Sequence, residues 1–198
     1  KAIKLVAALD HPHIFIDPDP DPASSFKERM RMFELPRSSW DDYDRSKLSK
    51  GGGIYPRTQK SIDLSAEARQ LLGIEEKVVD PATLMNAILK ARVDLIWFGG
   101  IGTYVKSSLQ SNSDVGDPAN DAIRVDGNEM RARAIGEGAN LGVTQAGRIE
   151  FAENGGRINT DFIDNSAGVD CSDKEVNIKI PLNREMQEGR LTFEKRNA

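Results

Sequence analysis

Two runs, I-G-E-G-A-N-L-G-V-T-Q-A-G (residues 135–147) and R-I-N-T-D-F-I-D-N-S-A-G-V-D-C-S-D (residues 157–173), decide how this chain is read. Apolar segments at 132–135 and 158–163 each stop at a cluster of Gly, Asn, Ser and Asp. In an open α/β sheet, ligands sit in the crevice beyond the carboxyl ends of the strands. Glycine lets a ligand approach the backbone closely, and an asparagine amide both donates and accepts hydrogen bonds. Two strand endings of this kind, one with Asn140 and one with Asn165, form the expected wall of a cofactor cleft.

Outward from these turns, further strands are expected at 3–9 and 93–98, with a brief one at 14–16. Helices are expected from Phe26 to Phe33 after Ser24 and Ser25, from Ser65 to Leu72 before Gly73, and from Asp80-Pro81 onward. Leu84, Met85, Ile88 and Leu89 give the last of these an apolar face at helical spacing. Thr144 is placed to cap a helix to about Glu153. A final helix is expected from Ser172 to about Glu188, kinked at Pro181. Residues 37–43 read as a short helical turn laid on the surface and 112–120 as a mobile loop. Strands alternating with helices predict an α/β fold, a Rossmann-like, mostly parallel open sheet with helices on both faces.

Composition narrows the function. A formal charge of −4 argues against a basic surface for nucleic acid or an anionic membrane. No apolar run nears the roughly 20 residues of a membrane span. The one cysteine, Cys171, rules out an internal disulfide and suits a reducing cytoplasm. Paired with His11 or His13 it could suggest a thiol nucleophile, but nothing orients a base toward it. The Asp-Pro alternation at 17–22 reads as a solvated loop rather than a metal site. Asp161, Asp164, Asp170 and Asp173 lack the spacing of a calcium loop. Lys50-Gly51-Gly52-Gly53 lacks the G-K-[ST] ending of a phosphate loop, and Pro56 stops a helix from following.

G-E-G-A-N-L-G-V-T followed by D-F-I-D-N-S-A-G-V resembles the paired signature of glutamate dehydrogenases, an E-G-A-N-G-P-T-T-like turn and a D-x-x-A-N-A-G-G-V-like turn. D-L-I-W-F-G-G-I-G-T-Y-V and R-S-S-W-D-D-Y-D extend the likeness to the large bacterial NAD-specific members, across nearly the whole chain. The chain departs from the compact members at Leu141, where they carry Gly-Pro, and at Ser166, where they carry Ala.

The resemblance implies the NAD-binding part of an oxidoreductase that converts L-glutamate to 2-oxoglutarate and ammonia, with hydride transfer to NAD. The parent is expected to be a cytoplasmic homo-oligomer. The likeness places Gly99, Gly100 and Ile101 along the cofactor, and Asn140 and Asn165 near its nicotinamide ribose and carboxamide. Ser172 would lie at the substrate's distal carboxylate. Asp10 ends the first expected strand; by position alone it is a turn former, and the resemblance makes it a ribose contact that disfavours NADP. A Gly-rich phosphate turn would then precede Lys1, so residues 1–198 are expected to be a partial dinucleotide-binding domain lacking its first β-α unit and inactive alone. No catalytic residue is assigned to this chain, because the family's catalytic Lys and Asp belong to a separate substrate domain. Another amino-acid dehydrogenase, of the branched-chain or phenylalanine type, and a non-catalytic nucleotide-binding scaffold are the alternatives.

Overall fold

In the computed structural model, residues 2–100 and 102–197 are described. The chain begins with β1 (Ala7–Leu9) and β2 (His13–Ile16). The expected strand at 3–9 is thus shorter, and it pairs antiparallel with β2, Ala8 opposite Phe15. A parallel partner needs a crossover of a dozen or more residues. Here the chain reverses at once, as the Asp10 side chain accepts the His13 N–H at 2.6 Å.

Next comes α1 (Pro22–Glu34), which starts earlier than Phe26 because Asp21, not a serine, is the cap: it accepts the Ser24 N–H at 2.8 Å. Pro22 is at home in the first turn, where an N–H would go unused. Strand β3 (Gly53–Pro56) then pairs antiparallel with β2. Between α1 and β3 lie two 3-10 turns, Trp40–Asp42 and Arg45–Lys47. The stretch at 37–43 is not simply laid on the surface: Tyr43 is buried, with its ring 4.9 Å from that of Phe15. Phe15 joins Tyr43, Met32 and Ile54 in one core, while Ile14 and Ile16 on the other face of β2 join a second.

That second core holds β4 (Ile62–Asp63), α2 (Ala66–Leu72), β5 (Val78–Val79) and α3 (Pro81–Leu89). Local chemistry sets both helices as read from the sequence. Ser65 accepts the Ala68 N–H, Gly73 closes α2 at φ 71°, and Asp80 caps α3 through the Ala82 and Thr83 amides. Ile62, Leu64, Leu72, Leu84 and Met85 fill the space between them.

The parallel part of the fold follows. It contains β6 (Leu95–Phe98), β7 (Val105–Lys106), α4 (Asn112–Val115), β8 (Val125–Asp126), β9 (Ala134–Glu137), α5 (Gln145–Glu153) and β10 (Arg157–Ile158). Strands β10, β9 and β6 form a parallel sheet in that order, and β7 pairs parallel with β8. Thr144 caps α5, as its sequence indicates. Phe98, Ile135, Phe151, Val105 and Val125 make a third core under α5. The opposite face of β6 is open among the described residues, with Leu95 53% and Trp97 58% exposed, so helices on both faces are not seen. Mixed α/β architecture with parallel sheets stands, joined by two antiparallel sheets.

Three further expectations are corrected here. Residues 112–120 hold α4, with a capping box between Ser111 and Asp114, and a 3-10 turn, Pro118–Asn120. Strand β9 sits further along than 132–135, because pairing with β6 draws Gly136 and Glu137 into the ladder. The strand expected at 158–163 ends at Ile158, and α6 (Asp161–Asp164) replaces its second half. Phe162 and Ile163 made this run look like a strand, yet both are more than half exposed.

The last helical run starts at Ser166 rather than Ser172. It comprises α7 (Ser166–Asp170), a π-helical turn (Cys171–Glu175) and α8 (Val176–Gln187), before a short α9 (Phe193–Asn197). Pro181 lies inside α8 without ending it.

Candidate functional site

The parallel pairing of β6 with β9 brings their carboxyl ends side by side, Phe98 opposite Glu137. Gly99 and Gly100 leave β6 there, both exposed, and a Cβ on Gly100 would meet nothing within 4 Å. Ile101 lies outside the described residues. From the end of β9, residues 138–143 lead to β7, where Val143 bridges Val105 in parallel.

Asn140 and Asn165 meet in this turn, although 25 positions separate them: Asn165 Nδ2 donates to Asn140 Oδ1 at 2.7 Å. Asn165 stands at the junction of α6 and α7 rather than at a strand end. The bond ties the two motif turns together, and the Asn165 side chain also packs on Gly168 of α7, where a Cβ would collide with Asn165 Oδ1. Two side-chain amides suit a group that both gives and takes hydrogen bonds, as a carboxamide or a ribose hydroxyl does.

Several groups unmarked in the sequence hold this turn. Glu137, fully buried at the end of β9, accepts from Arg148 Nη2 of α5 at 3.0 and 3.1 Å. The same nitrogen donates to the Val143 carbonyl at 3.3 Å and lies 3.8 Å from Asp161. Burial pushes the Glu137 carboxyl upward, the Arg148 charge opposes it, and Asp161 reinforces it. Burial is the larger influence on this carboxyl, and the Arg148 guanidinium is what favours its charged form.

Asp161 Oδ2 also accepts the Leu141 N–H at 3.0 Å, and Thr103 Oγ1 donates to the Leu141 carbonyl at 2.8 Å. Leu141 takes φ 55°, a region costly for a side chain. Those two bonds hold it there. Asp164 accepts the Glu137 N–H at 3.1 Å and Asn159 Nδ2 at 3.0 Å, tying α6 to β9. These aspartates act as turn and strand anchors, and no described group of three His, Cys, Asp or Glu could hold a metal ion. The sequence signal for Glu137 was its place in the G-E-G-A-N run, two positions after an apolar segment, but nothing there pointed to Arg148 as its partner.

Two other candidates are not brought to this turn by any hydrogen bond. Asp10 lies in the turn between β1 and β2, where its carboxylate accepts the His13 and Trp40 N–H groups at 2.6 and 2.9 Å. Ser172 is exposed on the π-helical turn, and its hydroxyl donates to the Val169 carbonyl at 3.0 Å.

Fold and turns together define an α/β protein with a polar, glycine-rich site where parallel strands end. Over residues 1–198 the chain matches the family described as bacterial NAD-glutamate dehydrogenase, catalytic domain, and it belongs to that family. It is 59% identical over 196 residues to an NAD-specific glutamate dehydrogenase of Pseudomonas aeruginosa, covering 99% of this chain. With the enzymes of the same name from Mycobacterium tuberculosis and Halomonas elongata it shares 58% over 202 residues (99% of the chain) and 54% over 195 residues (98%). The chain spans 12% of the length of each of these relatives. No helix among the described residues is long and apolar enough to cross a membrane.

Proposed function

We propose that this chain is the NAD-binding part of an oxidoreductase that oxidatively deaminates L-glutamate to 2-oxoglutarate and ammonia. Family membership supports the chemistry, and the Asn140–Asn165 hydrogen bond carries the placement, because it joins both motif turns into one polar wall. The donor set fits a nicotinamide cofactor: amides for a carboxamide or ribose, and glycine backbone for close approach. When bound, NAD accepts the hydride from the amino acid's α-carbon. The residues of this chain orient it: Asn140 and Asn165 by hydrogen bonds, Gly99 and Gly100 by leaving room. The proposal extends to a Rossmann-like arrangement completed outside these residues, and to action as a cytoplasmic homo-oligomer.

Asp10 keeps its proposed ribose role beside its turn-forming one. A carboxylate offers about four acceptor positions, and two are used here. Asp10→Ser in the full-length protein is expected to lower kcat/KM for NAD and narrow the gap to NADP; unchanged values for both cofactors would remove Asp10 from the site. Ser172→Ala should raise KM for glutamate and leave KM for NAD in place.

The proposal is tested on Asn165→Ala, with glutamate-dependent NAD reduction and the folded fraction measured on the same samples. A fall in kcat/KM of at least about tenfold, equal to about 1.4 kcal/mol, with the fold intact is expected. Activity lost only in proportion to lost folded protein would reduce Asn165 to a structural residue.

A further inference from the structure

Trp97 lies on the open face of the parallel sheet, with its indole laid across the backbone of β9. A Cβ on Gly136 would come within 2.6 Å of the ring, and one on Gly138 within 2.7 Å. The two glycines therefore form a seat that only a bare backbone can provide. One face of the indole rests on that seat, while the side chain stays 58% exposed, an unusual condition for the largest apolar residue. Beside it lies a hollow of about 250 Å³ lined by Trp97, Gly136, Arg157, Ile158, Asn159 and Asp164. That is space for a ring-sized group rather than a whole dinucleotide, since pockets for larger ligands run from roughly 300 to 1,000 Å³.

Resting on the NAD reading above, the geometry points to Trp97 as the stacking platform for the nicotinamide ring, held in this hollow. An indole is the strongest aromatic partner for a cation over its face, and the oxidised nicotinamide is a cationic ring, whereas adenine is neutral. Asp164 supplies a carboxylate on the same wall, its Oδ2 3.8 Å from the Cβ position of Gly136. Asn159 brings an amide, both donor and acceptor, to the rim, as a ring bearing a carboxamide needs. Gly138 links the indole's seat to the turn that carries Asn140, so ring and ribose would be gripped by consecutive parts of one segment.

The test is calorimetric titration of the full-length protein with NAD and, separately, with ADP-ribose, which lacks the nicotinamide. Trp97→Ala is expected to raise Kd for NAD about tenfold or more, the scale of losing one ring stacked on an aromatic side chain. Trp97→Phe, which keeps a flat face, should stay within about threefold of wild type, and Kd for ADP-ribose should hold within about twofold for both. Where the alanine variant does not fold, Trp97→Leu carries the same expectation. Equal losses for NAD and ADP-ribose would assign Trp97 to adenine or to the fold and overturn the inference. Unchanged NAD affinity with wild-type binding intact would overturn the platform alone. Wild-type protein that binds neither ligand would overturn the cofactor reading itself, and the platform with it.

Discussion

Glu137 and Arg148 form a buried pair behind the turn that carries Asn140, with Glu137 fully buried. Removing one partner of such a pair leaves an uncompensated charge in the interior, typically a loss of about 3–5 kcal/mol. Arg148→Met is therefore expected to lower the denaturant midpoint sharply, and Glu137→Gln, which keeps an acceptor oxygen, to lower it less. Equal midpoints for both variants and wild type would show that the pair does not hold the turn. Glu28 is a second buried carboxylate, on α1. Its hydrogen bonds from Arg31 pull its pKa down against the cost of burial, and the Asp44 N–H adds to the effect. A carboxyl whose folded pKa is lowered stabilises above its unfolded value and loses that contribution as pH falls. Stability should therefore decline on acidification below the ordinary carboxylate range, and Glu28→Gln should flatten that decline; identical pH profiles would contradict this.

Among the elements, the turn after β9 stores strain at Leu141, whose φ of 55° is held by Asp161 and Thr103. Leu141→Gly should be neutral or stabilising by up to about 1 kcal/mol, while Leu141→Val should destabilise, in thermal unfolding of the two variants. A loss for glycine as large as for valine would mean that leucine's contacts outweigh the strain. Three helices set by neighbours in sequence were legible before the structure, since Ser65, Asp80 and Thr144 cap them through amides two or three residues on. The equally local caps at Asp21 and Ser111 were not. Of the elements set by distant pairing, β6 was legible as an apolar run, but others were not. An apolar run at 158–163 reads as a strand until Asp161 and Asp164 bind the backbone of Leu141 and Glu137, which favours a helical turn there. Likewise, the antiparallel return of β1 onto β2 follows from Asp10 reaching His13 and Trp40, one of them 30 positions away. The Asn140 and Asn165 turns were legible through their motif, but Glu137, Arg148 and Trp97 gained meaning only from their neighbours in space.

At the scale of the whole molecule, the chain divides its work between an antiparallel sheet packed on α1 and a parallel sheet packed on α5. Motif residues that could meet one ligand gather where the parallel strands end, and they are joined by a single side-chain bond across 25 positions. The central claim is that these two turns act as one cofactor-orienting site. A double-mutant cycle on the full-length protein measures it most directly, reading kcat/KM for NAD with saturating glutamate in wild type, Asn140→Ala, Asn165→Ala and the double variant. Residues that act through a shared contact show coupling of about 0.5–3 kcal/mol, whereas independent ones add within a few tenths. The expected result is a loss in each single variant and a double variant little worse than the weaker single. Strictly additive losses, or no loss in either single variant, would contradict the claim that Asn140 and Asn165 form one site.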